Sequence, residues 1–171
     1  RNAPTVWNAA LRTALFWDGR AASLEAQAGG PILNPDEMGM PDEAAVVARL
    51  GALEGYRAAF ARAFGDDAIT FARVVAALAA FERTLLTPGS PFDRWVGGDA
   101  QALTPAAKRG WLAFNRLACI ACHGEPTFSS RDVFVRFPVR AVTDAPYVLG
   151  ATRDRGRGDV TGLARPASRP T

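Results

Sequence analysis

Cys119-Ile120-Ala121-Cys122-His123, followed by Gly124, is the stretch of this chain whose residue types and spacing could do chemistry. Two cysteines three apart with a histidine directly after the second have the spacing that attaches a c-type haem. On one helical turn, positions i and i+3 face the same way, so both thiols can reach the two vinyl groups along one porphyrin edge. His123 can then give an imidazole nitrogen to the iron as proximal ligand. The motif holds both cysteines and the single histidine of the 171-residue chain.

Other uses of these residues fit less well. A closed structural zinc site needs four soft or nitrogen ligands, and the motif offers three. A thioredoxin-type dithiol belongs in a βαβ pattern, whereas the flanks here read as helix and loop. A disulfide at this spacing leaves His123 without a role. A simple electron-transfer cytochrome c also carries a methionine after the motif as second axial ligand. Both methionines, Met38 and Met40, lie more than 80 residues before His123. The iron is then five-coordinate, or takes its sixth ligand from beyond Thr171, or is reached by the upstream methionines. The favoured expectation is that the chain is an excerpt of something longer.

The elements that must position the motif read as helical. Nearly half the chain is hydrophobic (49%), enough to bury a core, and the apolar content leans on alanine, which favours helix over sheet. Trp7 to Leu15 reads as a short helical stretch, Phe16-Trp17-Asp18-Gly19-Arg20 as a turn, and Ala21 to Ala28 as a helix stopped by Gly29-Gly30. Pro31 to Pro41 reads as an ordered loop. Helices resume at Asp42 to Leu50 and Gly55 to Phe64. A further helix starts from a Thr70 N-cap and runs to about Leu86, with Phe71, Val74, Val75, Leu78, Phe81 and Leu85 as one apolar stripe expected to face a core. Thr87-Pro88-Gly89-Ser90-Pro91 marks the best domain boundary, giving domains 1–90 and 91–171. Thr104 caps the helix that delivers the chain to the haem motif, with Pro105 in its first position. After His123 the sequence is irregular, as suits a segment wrapping a haem.

The net charge is +3, with arginines scattered from Arg131 to Arg169. That scatter reads as solvated surface or a docking face for an acidic redox partner rather than a nucleic-acid patch. No run of 18 apolar residues marks a transmembrane helix. No signal peptide is visible at Arg1, although covalent haem implies export from the cytoplasm.

The runs RNAPTVWNAAL, FWDGRAASLEAQAGGPILNPDEMGMP and FDRW…GGDAQALTPAAKRGWLAF…ACIACHGEPTFS together resemble the bacterial di-haem cytochrome c peroxidase and MauG superfamily. The resemblance covers essentially the whole chain, with several motifs in matching order. It implies an all-α fold of two cytochrome c-like haem domains with long loops, packed around a haem–haem interface. Of the two c-type haems, the one on Cys119, Cys122 and His123 is the electron-transfer haem. The peroxidatic haem's own CxxCH belongs upstream of Arg1, and the electron-transfer haem's distal methionine or tyrosine just past Thr171.

Position by position, the resemblance makes Gln27, Pro31 and Glu37 distal-pocket residues of the peroxidatic haem. Glu37 would act as proton carrier and Gln27 as its hydrogen-bonding partner. Trp17 would be the relay between haems, with Phe16 packed beside it. Asn2 (side chain) with Ser168 and Pro170 (backbone carbonyls) would hold a calcium between the domains; the family more often has threonine at the first of these carbonyl positions. The implied activity is periplasmic reduction of hydrogen peroxide with electrons from a small redox protein, a cytochrome c or cupredoxin. The alternatives are MauG-like oxidation of tyrosine or tryptophan residues of a partner protein, and a non-enzymatic mono-haem electron carrier. A homodimer is compatible with the resemblance; a nucleic-acid partner and a membrane span are not expected.

Overall fold

The structure, a computed structural model, describes residues 3–129, residue 134 and residues 158–162. In chain order the helices are α1 (Leu24–Leu33), α2 (Glu43–Gly51), α3 (Tyr56–Phe64), α4 (Phe71–Glu82), α5 (Pro91–Val96), α6 (Pro105–Arg116) and the four-residue α7 (Gly158–Thr161). Among the described residues there is no strand; one antiparallel bridge pairs Leu15 with Ala21. The fold is all-α, and no described helix is long and apolar enough to cross a membrane.

Two compact units divide the chain: residues 1–15 with 21–88, and residues 16–20 with 89–171. In the first, α1 packs on α4. Ser23 caps α1 by accepting from the Ala26 N–H at 3.1 Å, and Leu24, Ala28 and Ile32 form its buried stripe. The helix does not stop at Gly29-Gly30 as expected but runs on through Pro31. Gly29 serves close packing: a Cβ there would sit 3.3 Å from Phe71 Cε1 and 3.6 Å from Val75 Cγ1 on α4. Pro31 sits where its missing N–H leaves the Gln27 carbonyl without a helical donor, a defect tolerated because only two more helical residues follow.

Thr70 caps α4 as anticipated, and Asp42, expected as the first helical residue, instead caps α2; each side chain accepts a backbone N–H three residues on. The apolar stripe of α4 divides. Phe71 and Val75 meet α1 at Gly29 and Val74 is buried, but Leu78 is 41% and Phe81 62% exposed. Val74 and Leu78 line an apolar groove of about 630 Å³, with Ile32, Met38, Met40 and Phe60 among the other walls. The stripe expected as core is thus partly the wall of a cavity.

The expected Trp7–Leu15 helix is reduced to a 3-10 turn at Ala9–Leu11. Asn8 stands in the left-handed region (φ 58), a conformation asparagine tolerates better than most residues. Its side chain donates to Thr87 Oγ1 at 2.8 Å and accepts from the Thr87 N–H at 3.1 Å. Its own N–H donates to the Leu85 carbonyl at 2.9 Å. Three hydrogen bonds therefore fasten the incoming chain to the segment that leaves α4.

In the second unit, α5 starts with a reciprocal cap: Ser90 Oγ accepts the Asp93 N–H at 3.1 Å and the Asp93 carboxylate accepts the Ser90 N–H at 2.8 Å. This helix was not expected from the sequence. Thr104 caps α6, with Pro105 in its first position.

Candidate functional site

The C-terminus of α6 places the CxxCH motif. After the Leu117 cap, Ala118 turns through the left-handed region (φ 58) into a 3-10 turn at Cys119–Ala121. The N–H groups of Cys122 and His123 both donate to the Cys119 carbonyl, at 3.2 and 2.9 Å. Cys119 and Cys122 are unbridged and half-buried, so both thiols remain available.

His123 Nδ1 lies 3.1 Å from the Phe128 carbonyl oxygen. A carbonyl only accepts, so Nδ1 is the donor of this bond and Nε2 is the nitrogen left to ligate a metal. Phe128, Phe92, Trp111 and Phe114 form an aromatic cluster that meets this histidine through Phe114. Phe92 and Phe128 meet edge-on with centroids 4.8 Å apart, Trp111 and Phe114 lie 6.1 Å apart on one face of α6, and Phe114 is 6.3 Å from the His123 ring. The cluster lines an apolar groove of about 240 Å³. Two free thiols and an imidazole held through Nδ1, beside a wall of flat apolar rings, fit haem c.

Trp17 lies in a five-residue loop, 16–20, whose chain neighbours Leu15 and Ala21 exchange backbone hydrogen bonds at 2.8 and 3.4 Å. The loop belongs to the same compact unit as the haem motif. Trp17 is 62% exposed, and Asp18 beside it is buried.

Gln27 and Pro31 stand four residues apart on one face of α1. Glu37 follows in a tight turn fastened to the end of that helix. The Glu37 and Gly39 N–H groups donate to the Asn34 carbonyl at 3.0 and 2.9 Å, and the Met38 N–H donates to the Pro31 carbonyl at 3.1 Å. The Asn34 side-chain amide donates to Glu37 Oε1 at 3.0 Å. The structure therefore brings Glu37 back to Pro31, and it adds two residues that sequence reasoning did not select. Asn34 orients the carboxylate; its signal is an asparagine three residues before a glutamate at a helix end. Phe128 orients His123 through a backbone carbonyl, which leaves no trace in side-chain type. Asn2, Ser168 and Pro170 lie outside the described residues.

A CxxCH motif on a 3-10 turn within an all-α fold defines the c-type cytochrome class. Residues 1–101 match the family of the di-haem cytochrome c peroxidases, and the chain belongs to that family. It is 50% identical over 132 residues to the methylamine utilization protein MauG of Methylophilus methylotrophus, covering 75% of this chain and 39% of that protein. It is 46% identical over 127 residues to the cytochrome c551 peroxidase of Nitrosomonas europaea, covering 73% of this chain and 37% of that protein. A crystal structure of a MauG-like protein associated with microbial copper homeostasis superposes with a TM-score of 0.70 at 30% identity, over 95% of this chain and 51% of that one. The chain thus spans well under half the length of these two sequence relatives and about half of the solved structure.

Proposed function

We propose that this chain is part of a periplasmic di-haem peroxidase that reduces hydrogen peroxide to water with electrons drawn from a small redox protein. The observation that carries the reading is the family match over residues 1–101, the stretch that holds Trp17, Gln27, Pro31 and Glu37 in order. Each turnover consumes one peroxide, two protons and two electrons and releases two waters.

Cys119 and Cys122 would hold the electron-transfer haem through thioether bonds, and His123 would ligate its iron. The resemblance puts the second haem's own motif upstream of this stretch, and that haem would lie with Gln27, Pro31 and Glu37 on its distal side. Haem supplies a redox-active iron able to bind peroxide. Glu37 takes the proton from the near peroxide oxygen and returns it to the leaving one, held in place by Asn34. Gln27 would serve as hydrogen-bonding partner of Glu37, Pro31 would shape the distal pocket, and Trp17 would pass single electrons. Asn2, Ser168 and Pro170 would hold a calcium through oxygen atoms, a donor set calcium accepts. Haem attachment, which normally takes place outside the cytoplasm, supports the periplasmic reading.

In the full-length protein, Glu37→Gln is expected to lower peroxide turnover by about a hundredfold or more, the scale of lost general acid–base catalysis, with the spectrum of the His123 haem retained. Turnover at the wild-type rate would overturn the role of Glu37. The identity to a MauG protein supports a second reading, oxidation of tyrosine or tryptophan residues of a partner protein. The resemblance implies that the haem's second protein ligand, methionine or tyrosine, would discriminate the two.

A further inference from the structure

Trp17 and Asp18 occupy the two central positions of a turn closed by the Gly19 N–H, which donates to the Phe16 carbonyl at 3.2 Å. Phe16, a non-glycine residue, stands in the left-handed region at φ 64, a conformation that persists only where its surroundings impose it. One of the side chains that surround it is Arg20. The Arg20 guanidinium lies 3.5 Å above the centroid of the Phe16 ring. Its Nη1 also donates to both oxygens of Asp18, at 3.1 and 2.9 Å, and the Arg20 N–H donates to Asp18 Oδ1 at 3.2 Å. Asp18 is 6% exposed, so its carboxylate needs this partner.

We infer that Arg20 is the positioning residue for Trp17. Its guanidinium ties Phe16 to Asp18 across the turn, and so fixes the residue between them. A planar, delocalised cation can stack on a ring and hydrogen-bond a carboxylate at once; an ammonium is a point charge and does not reproduce both. Because Arg20 and Asp18 neutralise each other, the clamp fixes the indole's place while adding little net charge beside it. The inference rests on the relay reading of Trp17: one electron passes at a time, and the indole returns to its starting state after each transfer.

The test uses the full-length holoprotein and reads two quantities: the rate of electron transfer from the His123 haem on mixing with peroxide, and amide exchange of the loop 16–20. Trp17→Phe is expected to slow the transfer about tenfold, and Arg20→Gln and Phe16→Leu about fivefold each, while Phe16→Tyr, which keeps the stack, stays within about twofold of wild type. Exchange at Gly19 and Ala21 should rise about tenfold in Arg20→Gln and stay unchanged in Trp17→Phe. The midpoint potentials of both haems should not move in any variant. A slow Trp17→Phe beside wild-type transfer in Arg20→Gln and Phe16→Leu would overturn the inference and leave the relay standing. Wild-type transfer in Trp17→Phe would overturn the relay, and the inference with it. Phe16→Leu keeps the Arg20–Asp18 pair, so it decides the matter should Arg20→Gln not fold.

Discussion

The N–H of Met38 donates to the carbonyl of Pro31 at 3.1 Å, folding the turn that carries Glu37 back onto the last turn of α1. Two residues seven apart in the chain become neighbours through main-chain atoms alone. The distal carboxylate of the proposed peroxide site is therefore placed by backbone geometry, with Asn34 setting its rotation.

Pro31 is a local cost retained at this point. Replacing it with alanine restores an N–H for the Gln27 carbonyl, and Pro31→Ala should raise unfolding stability by about 1–3 kcal/mol. If Pro31 shapes the space above the peroxidatic haem, the same variant loses peroxide turnover. Chemical denaturation and steady-state kinetics on the full-length protein check the two halves. Unchanged stability would contradict the helix defect described here.

Asn8→Ala removes two side-chain hydrogen bonds to Thr87 and leaves a less tolerant residue at φ 58. A loss of about 1–2 kcal/mol is expected. Asn8→Gly, which keeps the conformation and loses only the bonds, should lose less. Equal losses in the two variants, measured by denaturant titration, would mean that backbone conformation contributes nothing.

The structure also assigns a pH dependence to the segment between α3 and α4. Asp66 accepts from Arg73 Nη2 at 2.8 Å and from the Ala68 N–H at 2.9 Å. The Arg73 hydrogen bond, then the Ala68 amide, hold its carboxyl well below the usual carboxylate range. A carboxyl whose folded pKa lies below its unfolded one stabilises the fold above the unfolded value, and that contribution is lost as pH falls through the folded one. Asp66→Asn should therefore be less stable than wild type at neutral pH, with the gap closing through the acid range below the ordinary carboxylate pKa. Solvent and salt screen this exposed pair, so added salt should also narrow the gap. Melting temperatures from pH 7 down to the acid limit of folding, at two salt concentrations, check both trends.

Caps and motifs were legible in the sequence because they act over three or four residues. Thr70 and Thr104 cap where a hydroxyl side chain precedes apolar periodicity, and the path from α6 into Cys119 follows from Thr104-Pro105. Gly29 was misleading because glycine has two uses, stopping a helix and letting another approach, and only the position of Phe71 on α4 decides between them. The groove was illegible for a related reason. A stripe at helical spacing says that Val74 and Leu78 share a face but not whether that face meets protein or a cavity. The hold on His123 comes from the carbonyl of Phe128, which every residue type possesses.

The central claim is that Cys119, Cys122 and His123 hold one of two covalent haems. The direct measurement is a haem count by intact mass and pyridine haemochrome on the full-length protein and on its Cys119→Ala/Cys122→Ala variant, both purified from the native host. Two haems in the wild type and one in the variant are expected, with the remaining haem attached upstream of this chain. Two covalent haems in the variant, or none lost from the wild-type count, would contradict the assignment.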